Sequence, residues 1–376
     1  DYFGWRSLAV RELDRQFDVP VLVVGGGPAG MAIASCLKKE RVDYVQVDRR
    51  GQLGGAYRSM NPATELLSPR KYTTLPGLPH SGDAKYISAG EYAEYLDRYA
   101  TSEQLEVVPA TVQTIAPSES GFDVGYQGCD QPRHHRIVVL ATGIFDHPVM
   151  PSIDGLNASE DFPKVIHSRD WRGCDPYRDQ RVLIIGAGMS GVEIAEQCAE
   201  AGMTVTIRSR KGVRLWRRRV LGIDVHHFAH LVSHRLPRWV AGSYCRRLPA
   251  LGAFDRGFRQ FCRTDRIRKR REVQRFETSV AHFVDGTSDA FDVVVMATGY
   301  RWHPPCLPTG VELGEQGQPL TTGGTIREFP GLYVIGAPCG RILPSEFLHG
   351  INHDAPVLAR NCLLYTSDAA DDVSTV

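Results

Sequence analysis

The chain has 376 residues, of which 42% are hydrophobic, and its formal net charge is +1. This indicates a globular protein of two or three domains, without the roughly 20 consecutive apolar residues of a membrane span or the pattern of a secretory signal, so we expect it in the cytoplasm. Nine cysteines at irregular spacings, with no Cys-x-x-Cys, indicate isolated thiols rather than a disulfide framework or a zinc module.

The first predicted unit is a strand, a glycine turn, a helix and a second strand. Residues 19–24 form a short apolar run, residues 28–40 have helical spacing, and residues 42–47 form another apolar run. Gly25, Gly27 and Gly30 match the G-x-G-x-x-G pattern, which allows a tight turn, close approach of a pyrophosphate, and close packing of helix on strand. Asp48 ends the second strand where a carboxylate accepts hydrogen bonds from ribose hydroxyls. The unit predicts a dinucleotide site for a free ribose.

The segments after this unit follow a mixed pattern. A Pro-rich loop at 61–79 precedes an amphipathic helix at 88–100 and strand-like pieces at 105–115 and 121–126. The apolar run "IVVLATG" begins at residue 137. We expect this run to be a buried strand of the same sheet.

The second predicted unit repeats the first over residues 181–185, 190–201 and 204–207. Gly186, Gly188 and Gly191 repeat the glycine pattern. The far end carries "IRSRK" where the first unit has an acid. We therefore predict that Arg208, Ser209 and Arg210 bind the 2′-phosphate of NADP. The alternative is that these residues only begin the basic region that follows.

Basic residues dominate from 208 to 275. We favour a helical insertion whose apolar face packs against the protein's own core and whose arginines face solvent. The alternative is a helix that lies in a membrane interface. No nucleic-acid module is recognisable. The histidines of "HHFAH" lack carboxylate or cysteine partners at ligand spacing, so no metal site is expected.

Two further strands are predicted near the end of the chain, in "DVVVMATGY" from residue 292 and "GLYVIGAP" from residue 331. Residues 362–376 are polar and acidic, and they resemble the translated read-through of a sequencing adapter. We expect this tail to be non-native or disordered.

Two dinucleotide sites in one chain suggest a flavin enzyme, with FAD in the first site and a nicotinamide in the second. Such a pair carries out hydride transfer, for which the protein supplies binding and orientation. A dithiol reductase is not expected, since Cys174 and Cys198 are not arranged as a redox pair.

The ordered set of motifs resembles the class B FAD- and NADPH-dependent flavin monooxygenases, which include the flavin-containing monooxygenases, the YUCCA-type enzymes and CzcO-like proteins. The resemblance runs from about Val19 to Arg360. It is carried by these segments: "DRRGQLGGAYRS", "LLSPRKYTTLPGLP", "YAEYLDRYA", "VVLATGIFDHPVMPSIDGL", "DFPKVIHSRDW" and "VVVMATGY".

The sequence departs from the family at three points. Tyr57 stands where Trp is usual, and Phe162 and His167 are one residue closer than in the family fingerprint, which also lacks its glycine here. The Asn that precedes the family's Pro-Lys step is replaced by Leu67 and Ser68.

The resemblance implies an α/β fold of two Rossmann-like domains, with the NADP domain inserted into the FAD domain. The implied boundaries are 19–155 and 286–361 for the FAD domain, and 156–285 for the NADP domain with a basic helical insertion at about 212–272. The residues implied to hold FAD are Gly25, Gly27, Pro28, Ala29, Gly30, Asp48, Arg49, Gly55, Tyr57, Val112 and Gly336. Those implied to hold NADP are Gly186, Gly188, Met189, Ser190, Gly191, Arg208, Ser209 and Arg210.

The resemblance also implies that NADPH reduces FAD, that the reduced flavin captures dioxygen as a C4a-(hydro)peroxide, and that one oxygen atom enters a small soft-nucleophile or carbonyl substrate. His167 and Asn61 are the weak candidates for catalytic roles. One alternative is an NADPH oxidase or other FAD-dependent oxidoreductase that oxygenates nothing, and another is a nucleotide-sensing, membrane-associated accessory flavoprotein. The substrate and the oligomeric state are left open.

Overall fold

A computed structural model describes residues 19–156, 163–209, 212–220, 223–227, 252–302, 304–315 and 317–373. Within this part of the chain there are two sheets built around parallel strands. In each sheet, a buried parallel strand is followed directly by a glycine turn and a helix. No described helix has the length and apolar character that crossing a bilayer requires.

The first unit begins with the predicted strand, helix and strand, and an antiparallel three-stranded sheet follows before the unit's buried parallel strand at Ile137–Leu140. Its elements are β1 (Val21–Val24), α1 (Pro28–Lys39), β2 (Tyr44–Asp48), α2 (Ala89–Ser102), β3 (Val108–Pro109), β4 (Val112–Ser118), β5 (Gly121–Tyr126), β6 (Arg133–His135) and β7 (Ile137–Leu140). All four residues of β1 and of β7 are buried, as expected for parallel strands that are covered on both faces.

The second unit repeats this order, with its own antiparallel three-stranded sheet before its last parallel strand. Its elements are β8 (Lys164–His167), β9 (Val182–Ile185), α3 (Met189–Glu200), β10 (Val205–Arg208), β11 (Leu215–Trp216), β12 (Arg219–Val220), β13 (Ile223–Asp224), β14 (Ala253–Phe254), α4 (Phe258–Arg263), β15 (Ile267–Arg270), β16 (Val273–Glu277), β17 (Val280–Phe283), β18 (Ser288–Ala290) and β19 (Val293–Met296). Its parallel sheet has the order β15-β10-β9-β19-β8.

The chain then returns to the first sheet through β20 (Thr321–Thr322), β21 (Thr325–Ile326), β22 (Leu332–Val334) and the long helix α5 (Leu348–Val373). The first sheet has the order β20-β21-β22-β7-β1-β2-β3, so its strands come from both sides of the second unit in sequence. The α/β class predicted from the sequence is confirmed.

Two short segments link the units after β7 and β19. They run antiparallel, with the Val149 amide donating to the Gly299 carbonyl at 2.9 Å and the Arg301 amide donating to the His147 carbonyl at 2.9 Å. The linkers therefore hold the carboxyl ends of the two sheets beside each other.

Three predicted boundaries are wrong. The change back to the first unit does not occur at 286, because β19 pairs with β8 and β9 in the second sheet. The insertion cannot reach residue 272, because β15 is a sheet strand that pairs with β10. The tail is not disordered from residue 362, because α5 continues to Val373 and Cys362 is buried in the first core.

Residues 221–222 and 228–251 of the predicted helical insertion lie outside the described residues. Its described flanks contain the short strands β11 to β14 and two exposed large apolar side chains, Trp216 and Ile223.

Replacing Gly186 by alanine should destabilise the second unit strongly. Gly186 has φ +114°, and a Cβ there would lie 2.2 Å from the carbonyl oxygen of Ala297, which is main chain and cannot move aside. Gly202→Ala is the matched control, since Gly202 has φ +83° with open space around it. Thermal or urea unfolding should show a loss of about 1 kcal/mol for the control and at least about 3 kcal/mol for Gly186→Ala. Equal losses would contradict the role of this close approach.

Candidate functional site

The first glycine turn brings the amino end of α1 against the carboxyl edge of the first sheet. Gly25 has φ +121°, and a Cβ there would lie 2.4 Å from the Ala141 carbonyl oxygen at the end of β7. Gly27 caps α1 without a side-chain hydrogen bond, and no acidic residue lies in the first helical turn. Its backbone N–H groups and the helix dipole therefore favour an anionic group at this end.

Gly55 packs against the same turn from the loop after β2. A Cβ on Gly55 would lie 2.8 Å from the Cα of Gly27, and the Gly54 amide donates to the Gly26 carbonyl at 2.8 Å. Because these glycines have no side chains, a ligand can lie close to the backbone at this turn.

Asp48 ends β2 and is buried beside the turn. Its Oδ2 accepts from the Gly26 amide and its Oδ1 from the Arg50 amide, both at 2.8 Å. These bonds fix the carboxylate, which keeps lone pairs that can accept hydrogen bonds from ribose hydroxyls.

A cavity of about 200 Å³ lies over the first turn. All but one of the eleven residues predicted to hold FAD line it, and the exception is Gly30, which lies inside α1. A Cβ on Gly30 would lie 1.9 Å from the Gly25 carbonyl oxygen, so this glycine allows helix and strand to pack.

The second turn has the same construction. The Gly186 amide donates to the Arg208 carbonyl at 3.1 Å, as the Gly25 amide does to Val47 at 2.7 Å. Gly188 caps α3 without a side-chain bond. The site therefore offers a second helix amino end to a ligand.

An acid that was not predicted from the sequence lies in the second site, beside the residues predicted to bind the 2′-phosphate. The Arg208 guanidinium donates to the Glu272 carboxylate at 2.5 Å, and the Arg208 side chain is 12% exposed. Glu272 follows β15, whose carboxyl end neighbours that of β10 in the parallel sheet, and this pairing is visible only in the structure. Ser209 donates to the Gly212 carbonyl at 2.8 Å, while Arg210 lies outside the described residues.

A second cavity of about 1380 Å³ contains both the second turn and the end of the first site. Its lining includes all the predicted NADP residues except Gly191, which packs inside α3 against Gly186, and Arg210, as above. Residues shared with the smaller cavity include Tyr57, Phe145, Gly336 and Glu346, so the two cavities meet. This volume exceeds the roughly 300–1,000 Å³ typical of a site for one drug-sized ligand.

The donor set fits two dinucleotides. The Thr142 hydroxyl, beside the smaller cavity, is buried and has no partner among the described residues. A ligand bound along the first turn would supply that partner, since buried hydroxyl groups are nearly always hydrogen-bonded.

His167 is buried at the end of β8 and lines neither cavity. Its Nε2 is 3.2 Å from the Gly299 carbonyl oxygen, and its Nδ1 accepts from the Arg169 amide at 3.1 Å. Burial lowers its pKa, so the ring is neutral with the proton on Nε2. These bonds tie the His167 ring to the linker at Gly299 and to the segment after β8, while Phe162 lies outside the described residues.

Asn61 is buried and lines the larger cavity. Its Oδ1 accepts from the Ala63 amide at 3.2 Å, and its Nδ2 has no partner among the described residues. Asn61 thus lines the cavity and has a buried donor, Nδ2, without a partner in the described part of the chain, which spacing alone could not indicate.

One expectation about the cysteines is wrong, and the expectation of free thiols is wrong only for Cys339, since the other seven described cysteines are free. The Sγ atoms of Cys174 and Cys198 lie 3.6 Å apart, so these residues are arranged as a pair, although neither lines a cavity. Cys339 is disulfide-bonded and follows Pro338, which lines the larger cavity. Among the described residues, no group of three or more His, Cys, Asp or Glu could hold a metal ion.

A family model described as pyridine nucleotide-disulphide oxidoreductase matches residues 22–223, more than half of the chain. The chain belongs to this family.

Individual relatives are flavin monooxygenases. A probable indole-3-pyruvate monooxygenase, YUCCA7, from Arabidopsis thaliana is 27% identical over 363 residues, covering 84% of this chain and 82% of the relative. A flavin-containing monooxygenase from Stenotrophomonas maltophilia has the same fold, with a TM-score of 0.72, 24% identity, and coverage of 93% of this chain and 99% of that one.

A structure of the ornithine N-hydroxylase from Kutzneria sp. 744, which holds reduced FAD and NADP⁺, also has this fold. Its TM-score is 0.70 at 17% identity, and the match covers 93% of this chain and 99% of that one. The predicted resemblance to class B flavin monooxygenases is confirmed, the chain is an oxidoreductase, and the predicted pair FAD and NADPH is confirmed for the family.

Replacing Asp48 by asparagine should weaken flavin retention at least about 10-fold, because an amide cannot accept from Gly26 and Arg50 and also serve ribose hydroxyls. The measurement is the flavin dissociation constant of the purified protein, taken from absorbance or fluorescence. Asp43→Asn, an exposed change just before the same strand, is the control. Unchanged flavin affinity in Asp48→Asn would contradict the assignment of the first site.

Proposed function

We propose that this chain is an FAD- and NADPH-dependent monooxygenase, with FAD on the first turn and NADPH on the second. When bound, FAD supplies a hydride acceptor and the means of activating dioxygen. One oxygen atom of dioxygen enters a small substrate, and the other leaves as water.

The observation that carries this proposal is the meeting of the two cavities. Each turn presents the amino end of a helix at the carboxyl edge of its sheet, and the antiparallel linkers keep these edges together. A ligand that extends from each turn toward the junction would bring its reactive end to the other ligand.

The side chains at the junction can exclude water. Tyr57, Phe145 and Tyr300 form a chain of edge-to-face contacts, with ring centroids 6.5 Å and 5.1 Å apart. Burial raises the pKa of Tyr57 to about 12, so this ring stays neutral. A dry, neutral wall protects an oxygen-activating centre from wasteful release of hydrogen peroxide.

The experiment is turnover of the purified flavoprotein with NADPH, dioxygen and a panel of soft amines, sulfides, 2-keto acids and ketones. NADPH and dioxygen consumption, hydrogen peroxide and product are measured together, with isotopically labelled dioxygen. We expect at least one compound to gain one labelled oxygen per NADPH and to lower peroxide release. Full conversion of dioxygen to peroxide with every compound would contradict the proposal.

A second candidate is an oxidoreductase that oxygenates nothing, and the disulfide-bonded Cys339 beside the larger cavity favours it. In that case NADPH would reduce a disulfide without consuming dioxygen. Thiols counted before and after anaerobic NADPH addition distinguish the candidates, since two new thiols per chain support the disulfide reductase. The membrane-associated alternative depends on the basic stretch at 213–242, of which residues 221–222 and 228–242 lie outside the described part of the chain.

Replacing Glu272 by glutamine should improve the use of NADPH over NADH. The change removes the negative charge that pairs with Arg208, so that the guanidinium can interact more strongly with the 2′-phosphate. We expect the KM for NADPH to fall by about 5-fold, the equivalent of about 1 kcal/mol, with little change for NADH.

The control for this change is Glu277→Gln, which removes an exposed, arginine-paired acid from the neighbouring strand β16. Equal changes in the two KM values for Glu272→Gln would contradict placement of the 2′-phosphate beside Arg208.

A further inference from the structure

Glu346 lies in the segment between β22 and α5 and lines both cavities. Among the described residues, Asp146 is the other carboxylate shared by the two linings, and it pairs with Arg49 at 2.9 Å and with Arg50. No hydrogen bond or ion pair is found for Glu346 within the described part of the chain. Its carboxyl group is therefore a polar group at the junction that is not committed to another side chain.

The backbone around Glu346 is fixed by its neighbours. The Ser345 hydroxyl accepts from the Arg341 and Ile342 amides, both at 2.9 Å, and donates to Asp354 at 2.5 Å. The Phe347 amide donates to the Pro344 carbonyl at 2.9 Å. This network holds the segment while leaving the Glu346 side chain out of it, which is the arrangement expected of a functional group on a rigid support.

Burial raises the pKa of Glu346 to about 7, because the charged form loses solvation inside the protein. The titratable side chains that line the smaller cavity with it are Asp48, Arg49, Arg50, Tyr57, Asp146, His147 and Cys306. The arginines are engaged by Asp146, and burial raises the pKa of Cys306 to about 11. Glu346 can therefore hold a proton near neutral pH.

We propose that Glu346 is the proton donor of the monooxygenase reaction, an inference that rests on the proposed function. The reaction consumes substrate, dioxygen, NADPH and one proton, and yields oxygenated substrate, NADP⁺ and water. The O–H bond of the Glu346 carboxyl group breaks, and its proton joins the oxygen atom that leaves as water. Solvent then returns a proton to the carboxylate.

The first test measures unfolding rather than activity. A carboxyl group with a raised folded pKa binds more protons in the folded than in the unfolded state, so it lowers stability as pH rises from its ordinary value toward about 7. We expect the melting temperature of Glu346→Gln, relative to wild type, to rise between about pH 5 and about pH 8. Glu119→Gln, which removes an exposed acid, should show no such change, and a flat difference for Glu346→Gln would overturn the inference.

The second test separates the two halves of the reaction. In Glu346→Gln, product formation should fall by about 100-fold at about pH 6, a much larger loss than any change in the rate of anaerobic flavin reduction by NADPH. Product formation in wild type should decline as pH rises through about 7, since the acid form is required, and this dependence should be absent in Glu346→Gln. Glu346→Asp should restore part of the rate and the pH dependence.

The outcomes distinguish the two claims. Normal product formation with an unchanged pH profile in Glu346→Gln overturns proton donation and leaves the monooxygenase function intact. Failure of wild type to oxygenate any compound overturns both.

Discussion

The architecture depends on one close approach made twice, in which a glycine at the end of a strand packs against the carbonyl of the neighbouring strand. Gly25 lies against Ala141, and Gly186 lies against Ala297. No side chain fits at either point, so each helix begins directly at the carboxyl edge of its sheet with its N–H groups exposed to a ligand. The segments that follow Ala141 and Ala297 are the linkers, which pair with each other. The same contact that creates each site thus also determines where the other site lies.

This arrangement separates the residues that would bind the unreactive ends of the ligands from those that lie beside the reactive ends. Under the proposed function, the helix ends and Asp48 would bind the ends of the ligands that do not react, while the reactive ends would meet at the junction of the cavities, which Tyr57, Phe145 and Glu346 line. Remote binding contacts can then be used to orient the reacting centre without exposing it to water. Glu272 balances the charge of Arg208 beside the proposed 2′-phosphate site, so under the proposed function both residues set the preference for NADPH over NADH.

The glycine patterns predicted both turns, because a glycine turn and the helix that follows it are formed by residues that are close together in sequence. Asp48 and Val112, which the resemblance implies hold FAD, both line the first cavity. Glu272, Glu346 and the Cys174–Cys198 pair were missed, because each acquires its position from contacts between elements far apart in sequence. The boundary at 286 was wrong for a related reason. The run that contains β19 looks like the return to the first domain, yet sheet pairing shows that it is the last strand of the second.

The central claim is that two dinucleotides meet in one continuous cavity, so that a hydride passes between them. The most direct measurement is anaerobic rapid mixing of the flavin-loaded protein with NADPH, monitored by flavin absorbance. The account predicts that the absorbance of the oxidised flavin disappears at a rate that saturates with NADPH concentration. Persistence of the oxidised spectrum when both ligands are demonstrably bound would contradict it.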